Sequence, residues 1–547
     1  MRVRDELGEL FSDAEFAAAY GTRGRPGLSP GMLALITVLQ KVENLTDRAA
    51  ADRAKYGMDW KYALSLELDD PGFDHTVLSE FRTRVAEHGL EEKALDLLLA
   101  TLADKGLVKA GGRQRSDSTH VIAAVRDLNR LELAGECVRA ALEALSVAAP
   151  GWVERVLEVP GWADRYRARV DSWRLPASET KRAELARAYG ADGYALVSAV
   201  HAPFSPAWLR QVPAIQALRV MLIQNYVRVT DGKGREVIKR RESLESGGEG
   251  IPPGRYRLTS PYDVDARWAA KGEDLFWNGF KVHVSETCDN TPEAAAAAAG
   301  GGERVPPNLI TGVITTDATV PDTQATDPIH QALARRGLLP AEHYLDSGYP
   351  SAELLVGARE RYGIALVTPA LLDHSAQARA QAGYDRTAFT IDWDNQHVTC
   401  PQGQRNASWT PCTQRGTDAI VIRFSGEVCQ PCPVRAACTT ATTRGRQLTI
   451  RAQKIQQALD NARAEQSTNA WQDKYKLRAG VEGTIRQAVA VTDIRQARYR
   501  GLPKVHLDHV FSAVALNLIR LDAWWNDHPL DRTRTSHLAR LELALAS

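Results

Sequence analysis

LITGVIT (residues 309–315), DTQATDPIHQALARR (322–336), HYLD (343–346), SAELLVGARERY (351–362) and IALVT (364–368) follow one another along the chain, and their alternation decides the fold. The first, third and fifth are short runs rich in β-branched and aliphatic residues, whereas the second and fourth repeat apolar residues at helical spacing. Strand, helix, strand, helix, strand predicts an α/β sheet built on parallel crossovers. HYLD places Asp346 at the C-terminal end of its strand, which is where open α/β sheets bind ligands.

Working outward, residues 114–121 read as a further strand carrying Asp117, and Phe276, Phe280, Val282 and Val284 announce another. The sheet is therefore expected from strands near Asp117, Val282, Val313, Asp346 and Ile364. Between two of these, Ala294–Ala299 and Gly300–Gly302 form a low-complexity run that reads as a hairpin excursion. From about 128 to 226 the helical period returns, with Leu131, Val138, Leu142 and Leu145 on one stripe, so an all-helical insert is expected. Residues 242–261, rich in Gly, Pro, Ser and Glu, read as a linker.

The first hundred residues read as helices. Ser29 can cap a helix that has Pro30 at its first position, and Met32, Leu35, Ile36, Leu39 and Val42 mark its apolar face. A second start follows at Asp47. A third comes at Thr76, where Val77, Leu78, Phe81 and Val85 face inward and Arg82 and Arg84 project elsewhere. Two helices across a short turn fit a helix-turn-helix as well as plain bundle packing. The domains expected are an N-terminal helical DNA-binding unit (1–110), an α/β core (111–127 and 256–388), a helical insert with linker (128–255), a Cys-rich insert (389–450) and a completion of the core (451–547).

The 547 residues suit three or four units at ~100 to 200 residues each, and 25% charged with 44% hydrophobic residues is ordinary for a soluble globular protein. The charged N-terminus has no apolar signal core behind it and no stretch approaches the length of a spanning helix, so no membrane partner and a cytoplasmic location are expected. A net charge of +1 leaves nucleic-acid binding to local clusters of Lys and Arg. Five of the seven cysteines fall between Cys400 and Cys438. Cys429 and Cys432 form a C-x2-C knuckle, Cys438 follows, and Cys400 precedes Pro401-Gln402-Gly403, so four thiolates could close a tetrahedral zinc site, with Cys412 an alternative fourth ligand. Reduced thiols in a loop are the plainer reading.

Singly, Asp117 and Asp346 read as turn or cap residues. Tyr475, Arg478, Glu482 and Arg486 are spaced to share one helical face, ordinarily a solvated, salt-bridged one. Gly480 and Gly483 weaken that helix by ~1 kcal/mol each, which suggests close approach of another group. Three carboxylates from Asp117, Asp346 and Glu482 would supply the hard ligands that two Mg²⁺ (or Mn²⁺) ions need in phosphodiester chemistry. Arg478 and Arg486 beside them would grip phosphates, and Arg498, Arg500 and Lys504 continue the basic run with Tyr499 interleaved.

In this order the chain resembles DDE-type bacterial insertion-sequence transposases with a ribonuclease-H-like catalytic core. The resemblance rests on Asp70-Pro71-Gly72-Phe73-Asp74-His75, Ser79-Glu80-Phe81-Arg82, Asp117-Ser118-Thr119-His120, Gly279-Phe280-Lys281-Val282-His283, Asp346-Ser347-Gly348-Tyr349, Gly480 to Thr484 and Arg498-Tyr499-Arg500-Gly501. The Tyr475, Arg478, Glu482 spacing resembles the signature of one branch, with Val489 where that branch has a basic residue. It implies that Asp117, Asp346 and Glu482 are the catalytic triad, that transposon inverted-repeat ends are cut and the freed 3′ hydroxyl joined to target DNA, and that the protein works on double-stranded DNA as a dimer or higher oligomer. Tyr475, Arg478, Arg486, Arg498, Arg500, Lys504, Arg82 and Arg84 are the expected DNA contacts. A non-transposing nuclease and a catalytically dead, zinc-containing DNA-binding repressor are the alternatives.

Overall fold

The computed structural model describes residues 2–20, 27–291, 294, 304–414 and 416–528; most of the low-complexity run lies outside them. Counted along the chain, the strands are β1 (Arg113–Ile122), the pair β2 (Tyr226–Thr230) and β3 (Glu236–Arg240), then β4 (Arg267–Lys271), β5 (Leu275–Thr287), β6 (Ile310–Asp317), β7 (Glu342–Tyr344) and β8 (Ala365–Val367). One six-stranded sheet runs β4-β5-β1-β7-β8, with β6 also on β5. All five strands expected from the sequence belong to it.

The sheet is mixed, and the crossovers from β6 to β7 and from β7 to β8 join strands of one direction, as expected. β7 and β8 run parallel to β1, whereas β5 is antiparallel to β1, β4 and β6. At Gly279, where φ is +155°, a Cβ would stand 2.1 Å from the Val121 carbonyl oxygen of β1, so only glycine lets the strands close there.

The helices that matter are α1 (Pro30–Glu43), α2 (Asp47–Tyr56), α3 (Thr76–Glu87), α4 (Arg130–Ala148), α5 (Glu179–His201), α6 (Pro213–Asn225), α7 (Asp322–Arg335), α8 (Ala352–Tyr362), α9 (Gly480–Thr492) and α10 (Leu502–Trp525). Ser29 caps α1 by accepting from the Met32 amide at 3.0 Å, and Asn44 at φ +54° ends it. The N-terminal helices share one hydrophobic core with the sheet: Ile36, Phe81, Val282, Val313, Phe511 and Val514 all belong to it. A buried Lys41–Asp508 ion pair at 2.5 Å ties α1 to α10.

The insert has its own core, built on Leu131, Val138, Tyr189, Leu218 and Tyr226. It is not all-helical, because β2 and β3 form an antiparallel hairpin that packs on it. The signal was present in the sequence: Val227, Val229 and Thr230 are β-branched, and Asp231-Gly232 opens a turn in which the Asp231 carboxylate accepts from the Lys233 and Arg235 amides. The Cys-rich region folds as two small antiparallel sheets around Phe389, Val398, Ile422 and Phe424. Among the described residues no helix is long and apolar enough to cross a membrane.

Candidate active site

Asp117 lies within β1, the strand from which antiparallel pairing spreads on one side and parallel pairing on the other. Its carboxylate is 9% exposed and accepts from the Ser118 amide at 2.7 Å. On β7, Tyr344 pairs in parallel register with Arg115, so two residues further on Asp346 comes level with Asp117. Asp346 itself stands just past the strand end, where its Oδ1 accepts from the Gly348 amide at 2.9 Å. It thus closes a turn and also faces the site. Tyr349 anchors that turn: it is fully buried, its hydroxyl bonds His283 Nδ1 at 2.7 Å, and its carbonyl accepts from Thr326 of α7. His283, wholly enclosed, has its imidazole held down to about 4 by burial.

Glu482 sits in the first turn of α9 with its side chain 64% exposed. Arg478 joins it to Asp117: Nη2 is 3.3 Å from Asp117 Oδ2 and Nη1 is 3.3 Å from Glu482 Oε1. Tyr475 stacks on Trp471 with ring centroids 4.8 Å apart and donates to the Leu345 carbonyl, beside Asp346. The expected single helix from Tyr475 to Arg486 is interrupted, since residues 476–479 form a 3₁₀ turn before α9 begins. The break has a cause in Arg115, whose Nη1 donates to the Leu477 carbonyl at 2.7 Å. The Arg115 guanidinium fills the place of a side chain on Gly480, where a Cβ would meet Nη1 at 2.0 Å. The close approach expected at Gly480 is therefore real, whereas Gly483 faces open space.

Burial raises the Asp117 carboxyl above its ordinary range; the Ser118 amide and Arg478 oppose this and Asp346 adds to it. A third carboxylate stands close by that the sequence reading missed. Asp322, at the start of α7, accepts from Lys281 Nζ at 2.9 Å and from Ser118 Oγ at 3.2 Å. A Cβ added to Gly348 would stand 3.1 Å from Asp346 Oδ1 and 3.3 Å from Asp322 Oδ2, so these two carboxylates flank a space kept open by glycine. Asp322 had read only as a helix start. No three of the described His, Cys, Asp or Glu side chains stand grouped closely enough to hold a metal ion, and this includes Asp117, Asp346 and Glu482 as they lie here. The donor set is nevertheless chemically suited to a hard divalent cation: paired carboxylates, one of them desolvated, at a partly open sheet end.

The expected DNA contacts divide sharply. Arg84, Arg486 and Arg500 are exposed. Arg82 is 3% exposed, pairs with Asp47 and stacks under Tyr499 at 4.6 Å, which corrects the expectation that it projects outward. An Asp47 carboxylate and an aromatic face give the guanidinium an interior partner, and the apolar periodicity of α3 cannot show either. Arg498 donates to the Leu45 carbonyl and to Asn44, and Lys504 donates to Thr83 Oγ1. These residues bind the N-terminal helices to the core.

Cys400, Cys429, Cys432 and Cys438 line one cavity of about 240 Å³, while Cys412 does not line it. Burial raises the Cys438 thiol; Arg446 opposes this, and the other three cysteines add to it. Arg446 lines the same cavity and has a buried Nε–H without a partner.

Residues 399–522 match the family described as the transposase DDE domain, and residues 2–84 match the family described as a transposase domain of the DUF772 type. The first match takes in Glu482 and the cysteines but neither aspartate. No curated protein and no solved structure matches the chain.

Proposed function

We propose that the chain is a DDE-type insertion-sequence transposase, a reading the two family matches support, and that it cuts DNA at the transposon's inverted-repeat ends and joins the freed 3′ hydroxyl to target DNA. The observation that carries this reading is the placing of Asp117 on β1 level with Asp346 beyond β7, with Glu482 reaching toward them through Arg478. The run β6-β5-β1, antiparallel, continued by β7 and β8 parallel to β1, with β4 added beside β5, supports a ribonuclease-H-like description of the core, and we adopt it.

Divalent metal use, typically Mg²⁺, goes with the DDE domain. Asp117, Asp346 and Glu482 would hold such ions, which when bound supply Lewis acidity to the phosphodiester. Asp346 keeps its carboxylate aimed through the Gly348 amide. Arg478 holds Asp117 and Glu482 together in the absence of metal and is placed to take a phosphate oxygen once it lets go of them. Purified protein, a labelled donor carrying the element's own ends, a target plasmid and Mg²⁺ should yield nicked ends and joined products. Absence of both in Mg²⁺ and Mn²⁺ would overturn the reading.

The raised Asp117 carboxyl gives this activity a pH dependence. A carboxyl must be ionised to bind metal, and a raised pKa means that ionisation is complete only at higher pH. As pH falls through that value, protons compete and the Mg²⁺ concentration for half-maximal cleavage should climb, at a pH above the ~3.9 of a free aspartate. Arg478→Ala removes a lowering influence, so its climb should begin at higher pH still. An unchanged profile would mean that Arg478 does not set the charge state of Asp117.

For the Cys-rich region we propose a structural zinc site of Cys400, Cys429, Cys432 and Cys438. Its support is that all four line one cavity, with the unpaired Arg446 N–H beside them suited to thiolates; as they lie here they are not drawn together closely enough to hold the ion, so binding would have to gather them. Metal analysis should find about one zinc per chain, and Cys429→Ser with Cys432→Ser should release it and lower the melting temperature. A metal-free chain, or an unchanged melt, would return the thiols to a plain loop.

A further inference from the structure

The insert carries a groove of about 1020 Å³ between the first turns of α4, the start of α5 and the hairpin β2–β3. Five cationic side chains line it: Arg130, Arg182, Arg187, Lys239 and Arg240. Only two carboxylates do, Glu179 and Glu242. Lys239 pairs with Glu249 at 3.6 Å and Arg182 Nε donates to the Pro176 carbonyl at 2.6 Å, but among the described residues Arg130, Arg182, Arg187 and Arg240 have no carboxylate within ion-pair distance, although ion pairs are frequent elsewhere in the chain.

Arg130 is fixed in place by donating to Asn225 Oδ1 at 3.0 Å and to the Arg241 carbonyl at 3.1 Å. Burial lowers its pKa, and the nearby Arg240 lowers it further. Positive charge is thus concentrated there without a neutralising partner. The floor is apolar, with Leu131, Leu175 and Val237. Trp173, between the lining residues Ser172 and Leu175, is 75% exposed with the Arg174 guanidinium 4.5 Å from its ring centroid. The groove is preformed: a Cβ on Gly190 of α5 would stand 2.6 Å from the Tyr226 ring and 3.0 Å from Ile238, so hairpin and helix are already in contact.

We propose that this groove binds one strand of the sugar-phosphate backbone of duplex DNA, outside the carboxylate site. Unpaired guanidinia suit phosphate oxygens, and the apolar floor suits the sugars between them. The proposal rests on the transposase reading for its choice of DNA as the anion, and charge complementarity carries the rest.

The test is fluorescence anisotropy of the full chain with a labelled mixed-sequence duplex of about 30 base pairs over a salt series, since backbone contacts are sequence-independent. Arg182→Ala, Arg187→Ala and Arg240→Ala together should weaken binding roughly tenfold or more and flatten the log–log salt slope by about two to three units. Lysine at the same three positions should restore the slope, which separates charge from folding. Equal affinity and slope in the alanine variant would overturn the groove while leaving the transposase reading intact, and so would a loss that lysine does not restore. A parent chain with no salt-dependent binding would overturn both.

Discussion

Asp117→Asn, Asp346→Asn and Glu482→Gln are each expected to lower Mg²⁺-dependent cleavage by at least about a hundredfold, ~3 kcal/mol of barrier, while the fold survives. Their stabilities separate this outcome from a structural one. The folded state holds the Asp117 carboxyl above its ordinary range, so its charge at neutral pH costs the fold stability relative to the unfolded chain. Asn removes that charge and should leave the melting temperature unchanged or higher. Asn at 346 keeps an oxygen for the Gly348 amide, and Glu482 is exposed enough that Gln costs little. A residue acting only as a cap would behave in the opposite way, losing stability and sparing cleavage. Because ligands of shared metals act as one unit, a double variant should be little worse than a single one. Near-normal cleavage by Glu482→Gln would remove Glu482 from the set, and its distance from the paired aspartates makes it the informative case.

Much of the core was legible because its signals are local. The alternation over 309–368 located β6, α7, β7, α8 and β8 within a residue or two, and Asp346, expected to end its strand, stands two residues beyond the end of β7. Strand direction was less legible. β5, which runs against β1 and β6, reads as the same apolar run as its neighbours, since burial on both faces leaves no mark of direction. The β2–β3 hairpin was overlooked because the helical stripe before it runs straight into Tyr226, which closes the insert's core from the first residue of the strand.

The candidate site was legible where spacing within one element carries it and illegible where distant elements meet. Arg478 and Glu482 are four apart, and they do pair. Asp322 had no signature beyond a helix start, yet a Lys281 ammonium on β5 and the bare α-carbon of Gly348 bring it beside Asp346. Arg82 and Arg498 looked like exposed basic residues because nothing in their own segments announces Asp47 or the Leu45 carbonyl as partners. Charge clusters in sequence therefore include arginines that serve contacts between elements.

Glu286→Gln is expected to be the most destabilising single change near the site, costing about 3 to 5 kcal/mol. Glu286 is wholly buried at an irregularity between β5 and β6, opposite Arg115 on β1. Its carboxylate takes Arg115 at 2.7 Å, Arg520 of α10 at 2.8 Å and the Thr484 hydroxyl of α9 at 2.6 Å. Burial would raise this carboxyl, but Arg520 and Arg115 prevail and hold it below the ordinary glutamate range. The sign follows: its contribution is present above the unfolded pKa of ~4.3 and is lost as pH falls through the lower folded value. Glutamine keeps the shape and leaves two guanidinia facing each other without their shared anion. Urea unfolding would measure the loss, and a change under about 1 kcal/mol would show that the arginines find other partners. The same three contacts seat α9, since Arg115 also holds the Leu477 carbonyl and fills the space under Gly480. Cleavage by Glu286→Gln should therefore fall by more than its folded fraction does, because Glu482 loses the base of its helix. Replacing Glu286, Arg115 and Arg520 together by apolar residues of similar volume should recover much of the stability, but not the placement of Glu482.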